Sequence, residues 1–132
     1  MNDISLTLHL GSCIDFMATL EPEMIDLTVT SPPYDDIRNY DQTLNWNWSV
    51  FKEVANGLFN ITKQGGVVVW VVGDATKNGS ESGTSFKQAL FFKELGFKNV
   101  KCELIDRFIS ISAKKSSKVP NKKLKLKLGR VS

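Results

Sequence analysis

The stretch VVVWVV, residues 67–72, is the strongest strand signal in the chain and constrains its fold more than any other feature. Five of these six residues are branched at Cβ, which restricts χ1 in a helix but suits the pleated surface of a sheet. The run follows WSVFKEVANGLFNIT (48–62), which places Phe51, Val54, Leu58 and Ile61 on one helical stripe. Ser49 is the expected cap of that helix, and Gly65-Gly66 its expected end. A helix feeding a strongly apolar strand is the repeating unit of α/β proteins.

The same alternation extends in both directions. ISLTLHL (4–10) alternates apolar and polar residues, the period of a strand. After Gly11, Ser12 with Asp15 three residues on resembles a capping box, so CIDFMATL (13–20) reads as a short helix. MIDLTVTS (24–31) is apolar and β-branched, the pattern of a strand buried on both faces. These segments predict a βαβ unit with parallel strands and a right-handed crossover. Downstream, Ser85 and Gln88 cap a helix over 86–96 that Gly96 closes. VKCELIDRFISIS (100–112) is then a single last strand. The whole order predicts an α/β, doubly wound sheet, in which ligands bind beyond the carboxyl ends of the strands.

Composition excludes several function classes. Two cysteines, Cys13 and Cys102, and one histidine, His9, are too few for a disulfide framework, a zinc site or a His-based triad. No apolar run approaches the ~20 residues of a membrane span, and no basic segment precedes the N-terminal apolar stretch as in a signal peptide. A reduced, cytoplasmic protein with no membrane partner and no bound metal is the expectation. Charge is segregated. Residues 1–106 hold 8 Lys+Arg and all 14 Asp+Glu, whereas 107–132 hold 9 Lys+Arg and no acid. Such a basic tail suits contact with nucleic acid, the alternative being a solvated, frayed terminus.

Three segments fall at carboxyl ends of expected strands: Gly11-Ser12-Cys13, Ser31-Pro32-Pro33-Tyr34, and Gly73-Asp74. The second is the most informative. Two prolines fix an extended backbone and carry no N–H, so their carbonyls stand without sheet partners. A rigid carbonyl beside a serine hydroxyl offers two acceptors at fixed separation, which suits an exocyclic amino group. Tyr34 adds a flat face for a planar ring. The bland reading of Pro-Pro after a strand is a stop signal.

LTVTSPPYDDIRNYD (27–41) resembles the catalytic motif of the DNA amino-methyltransferases, whose members carry Asp/Asn/Ser-Pro-Pro-Tyr or Phe. The resemblance covers about residues 6–97, including QGGVVVWVVGD and NGSESGTSFKQALFFKELGF. It implies a partial, Rossmann-like methyltransferase sheet in permuted motif order. It also implies methyl transfer from S-adenosylmethionine to cytosine N4 or adenine N6 in DNA, as in site-specific modification within a bacterium or phage-infected cell. Ser31, Pro32, Pro33 and Tyr34 would be catalytic, stacking a flipped base and holding its amino hydrogens. Gly11, Ser12, Cys13 and Ser31 would face the cofactor, with Ser12 standing where relatives usually carry an aspartate. Asp74 would orient loop groups or cap the following turn. Asp35, Asp36, Arg38 and Asn39 would order the loop over the base or be solvated. Trp46 and Trp48 would stack on bases or, the better expectation, pack.

The Phe-x-Gly-x-Gly cofactor loop that the family carries after this region has no counterpart, since Gly129 is the only glycine after residue 97. The expectation is a catalytic part over 1–112 and a basic, disordered tail over 113–132, the latter divergent or produced by a frameshift or early stop. DNA would be one partner, and a complementing chain carrying the Gly-rich motif another. The alternative is a catalytically incomplete remnant or subunit that binds DNA non-specifically through its basic tail.

Overall fold

The structure is a computed structural model and describes residues 3–33, 46–74, 76–77, 80–81, 83–106 and 108–116. Its main sheet has four strands, β1 (Ile25–Thr30), β2 (Thr62–Val72), β5 (Phe97–Ile105) and β6 (Phe108–Lys115), in the spatial order β1-β2-β6-β5. β1 and β2 run parallel, while β6 is antiparallel to both of its neighbours, so the sheet is mixed. Three helices accompany it, α1 (Cys13–Ala18), α2 (Trp48–Ile61) and α3 (Thr84–Leu95), and β3 (Thr76–Lys77) with β4 (Ser80–Glu81) forms a small separate ladder. The parallel βαβ unit is therefore β1-α2-β2.

The VVVWVV run sits inside the sheet as expected, but with unequal faces. Val68, Trp70 and Val72 are buried under the helices, and Val67, Val69 and Val71 are only half-buried on the other side. The helix stripe read from the sequence is the one that packs: Phe51, Val54, Leu58 and Ile61 are all buried, together with Ala55. Trp70 meets Phe51 and Phe92 edge to face with centroids 5.6 and 5.4 Å apart, and Phe92 meets Phe97 at 5.7 Å. Such geometry sets the positive ring edge against the negative face. The indole N–H of Trp70, a donor only, is satisfied by Gln88 Oε1 at 3.0 Å.

Several expectations are corrected. Residues 4–10 form no strand; they are extended, and Ile4, Leu6, Leu8 and Leu10 are almost fully exposed. Their alternation satisfies the local requirement for a strand, but no described neighbour supplies the hydrogen-bonding partner that a strand needs. Asn47, not Ser49, caps α2: its Oδ1 accepts from Val50 N at 2.9 Å. Gly65-Gly66 does not end α2, which stops at Ile61; both glycines lie inside β2. There the register against β1 shifts between Ile25 and Leu27. A Cβ on Gly66 would come within 3.0 Å of the carbonyl oxygens of Ile25 and Lys63, so this crossing admits only glycine. Ser85 lies within α3, whose N-cap is Gly83 in the left-handed region. The single last strand over 100–112 is instead the β5–β6 hairpin.

The hairpin is anchored at its far end. Lys115 is buried; its Nζ donates to Phe59 O at 2.7 Å, lies 3.6 Å from Glu23 Oε1, and sits 4.4 Å from the Phe59 ring centroid. Among the described residues no helix is long and apolar enough to cross a membrane, and no group of His, Cys, Asp or Glu is arranged to hold a metal.

Candidate functional site

The corner after β1 forms because the parallel ladder ends there. Thr30 pairs with Trp70, and the next residue, Ser31, turns its hydroxyl across to β2 and donates to Val71 O at 3.0 Å. That bond satisfies a carbonyl which the prolines, lacking N–H groups, cannot reach. It also fixes the polarity of the hydroxyl. The proton points into the sheet, and the oxygen lone pairs remain on the other side.

Ser31, Pro32 and Pro33 line a cleft of about 450 Å³ together with Cys13, Trp46 and Trp70. Its deeper walls are apolar, from Met17, Leu20, Val54, Leu58 and Ile61, and its polar groups are the hydroxyls of Thr28, Thr30 and Ser31 beside the thiol of Cys13. α1 forms the opposite wall. Met17 seats against Gly57 of α2, where a Cβ would come within 2.7 Å of the methionine methyl. This brings Cys13 to the Ser-Pro-Pro corner although 17 residues separate Cys13 from Ser31 in the chain.

The other residues singled out in the sequence are placed differently. Ser12 caps α1, with its Oγ accepting from Ile14 N at 3.2 Å, and Gly11 is exposed with φ at 143°. Neither lines the cleft. Asp74 caps α3: its two carboxylate oxygens accept from Ser85 N and Ser85 Oγ, both at 2.8 Å. Negative charge at a helix N-terminus is favourable, and this accounts for Asp74 as a structural group. Trp46 tilts against Trp70 with centroids 6.3 Å apart, and Trp48 stacks on Phe51 at 4.9 Å and meets Phe91 edge-on at 5.9 Å. Both tryptophans therefore pack. Tyr34, Asp35, Asp36, Arg38 and Asn39 lie outside the described residues.

Sequence reasoning missed the Val71 carbonyl, because a backbone acceptor leaves no signature in residue type. It also missed Thr28 and Thr30, whose alternation with Leu27 and Val29 signals that they share a face, though not which face meets the cleft.

Comparison with known proteins gives the family. No family model matches the chain. Over 73 residues it is 64% identical to the orphan methyltransferase M.BamHII of Bacillus amyloliquefaciens, a match covering 55% of this chain and 26% of that protein. In fold it matches TTHA0409, a candidate DNA modification methylase of Thermus thermophilus. The TM-score is 0.60 at 18% identity, over 90% of this chain and 59% of that one. The same protein complexed with S-adenosyl-L-methionine matches at 0.58. The fold likeness takes in residues beyond 97, and hence part of the β5–β6 hairpin. The chain spans about a quarter of the curated relative and about three fifths of the solved structure. Close identity over half its length and a shared fold over most of it agree: the chain belongs to the methyltransferases, as a part of one built on the fold of the DNA modification methylases.

Proposed function

We propose that the chain is the base-binding and catalytic part of a DNA amino-methyltransferase that acts on cytosine N4 or adenine N6. The observation that carries this reading is the Ser31–Val71 hydrogen bond at the mouth of an apolar cleft. With its proton committed to the sheet, Ser31 meets an incoming amino group as an acceptor, and the Pro32 carbonyl is the second acceptor. A target –NH₂ held at both hydrogens directs its nitrogen lone pair away from the corner, towards a methyl donor. Acceleration by such a site comes from position and fixed dipoles, with no covalent intermediate. To reach the corner, the base must leave the duplex stack.

S-adenosylmethionine supplies a methyl group on a sulfonium centre when bound. The cleft suits its flat, apolar portion, through Met17, Leu20, Leu58 and Trp70. No carboxylate among the described lining residues meets sugar hydroxyls, and no basic group meets the amino-acid end. These residues fit one wall of such a site, so the remainder must come from sequence that longer relatives carry and this chain does not. DNA and a complementing chain are accordingly the partners of this reading.

The test is transfer of labelled methyl from S-adenosylmethionine to duplex DNA. The full chain is co-expressed with the fragment of M.BamHII that remains when its 73 matched residues are removed. The expected product is an N4- or N6-methylated base, absent with Ser31→Ala. A carbon-5 product, undiminished transfer by Ser31→Ala, or no transfer under any complementation would sink the reading.

A further inference from the structure

The described sheet is covered on one face only. Buried residues of β2 and β6 belong to one core with α2, α3 and Met17 of α1. On the opposite face, residues in register line up across the strands: Leu27 with Val67 and Val29 with Val69, then Val67 with Lys114, Val69 with Ser112 and Val71 with Ser110. Paired residues share a face. The uncovered face is therefore aliphatic over β1 and β2 and polar over β6. On β5 it continues with Lys101 and Glu103, and Ile105 and Phe108 stand only at the hairpin turn. Leu27 is 58% exposed and Val29 66% exposed. The aliphatic half is also the half with an open edge, because β1 has no described strand on its outer side.

We propose that this edge and stripe dock a polypeptide segment of a definite kind, an extended strand laid against β1 followed or preceded by an amphipathic helix. The helix lays its apolar side over Leu27, Val29, Val67, Val69 and Val71. Residues 4–10, extended and apolar on alternate positions, pair with the outer side of the added structure. This rests on the reading of the chain as one part of a larger methyltransferase, and it names where the rest attaches.

A second copy of this chain fits the surface less well. Two copies joined through their β1 edges would make one continuous sheet and set two uncovered stripes side by side. Two copies packed face to face would cover the stripes and leave both edges unpaired. A strand with a helix satisfies the edge and the stripe together, as unpaired backbone and exposed aliphatic area both require. The solved relative has chain to supply such a segment, since two fifths of it lies outside the match.

The full chain is co-expressed with the M.BamHII fragment that lacks the 73 matched residues, and the product is purified and read by amide hydrogen exchange. The expected result is a one-to-one complex in which exchange over 4–10 and 25–30 slows at least tenfold relative to the chain alone, with 97–105 unchanged. Leu27→Lys and Val29→Lys, at exposed positions, should leave the melting curve of the chain in place and cut recovery of the complex at least tenfold. Ser112→Lys, on the polar half of the same face, should leave it intact. No complex, a complex indifferent to Leu27→Lys, or a dimer of the chain alone with 25–30 protected each overturns the proposal. None of these readouts needs methyl transfer. A complex with this footprint that fails to methylate DNA therefore leaves the docking surface standing and removes the activity.

Discussion

Ser31 and Asp74 both stand at the carboxyl ends of strands and both carry side-chain oxygens, yet their surroundings give them different work. Ser31 bonds to one backbone carbonyl, a link worth about 1 kcal/mol net in a typical protein. Ser31→Ala should therefore lower the melting temperature by only a few degrees while reducing methyl transfer by the complemented protein at least ~100-fold, the range for losing a group that holds a reacting centre. Parallel melting curves and transfer rates check both halves. Asp74 closes the first turn of α3 with two hydrogen bonds. Asp74→Ala should cost about 1–2 kcal/mol in urea unfolding, as lost helix caps do, whatever becomes of activity. The motif around Ser31 was legible in the sequence because two prolines after a β-branched run are unusual. The role of Asp74 was undecided there, since nothing in the order of residues says that Ser85 folds back onto it.

At the scale of elements, the two structural glycines of the β1-α2-β2 unit make a paired prediction. On Gly66 a Cβ would press on two backbone carbonyl oxygens, which can yield only if the strands part. On Gly57 it would press on the end of Met17, a flexible side chain that can swing aside. Gly66→Ala should therefore destabilise by several kcal/mol, about 3 or more, and Gly57→Ala by roughly 1 kcal/mol, both read by chemical denaturation. The helices were the legible elements, because a 3.6-residue stripe such as Phe51, Val54, Leu58 and Ile61 has one way to be buried. The strands were less so. ISLTLHL carries the better alternation yet stays unpaired, while the polar-looking stretch 97–105 is a strand because β6 lies beside it. Strand formation depends on a neighbour, which local sequence does not encode.

For the whole molecule, the segregation of charge sets how it meets DNA. With 9 basic and no acidic residues after residue 106, binding of the full chain to duplex DNA should be sequence-independent and weaken steeply with salt. Removing residues 117–132 should abolish most of that salt dependence, as measured by fluorescence anisotropy. If the slope is unchanged by the deletion, the basic tail is not the contact. Lys115 would not be part of it in any case, because its ammonium group is held inside by Phe59 and Glu23. The sequence alone determined the α/β class, the α2 stripe, the central apolar strand and the Ser-Pro-Pro-Tyr corner, all of which follow from local periodicity or from rigid residues. Only the tertiary structure decided that β6 turns antiparallel between β2 and β5, that Cys13 faces Ser31, and that the sheet keeps one edge and one aliphatic face uncovered. Those features depend on which segments lie side by side, and a chain's own periodicity records the faces it must bury but not the partner that buries them.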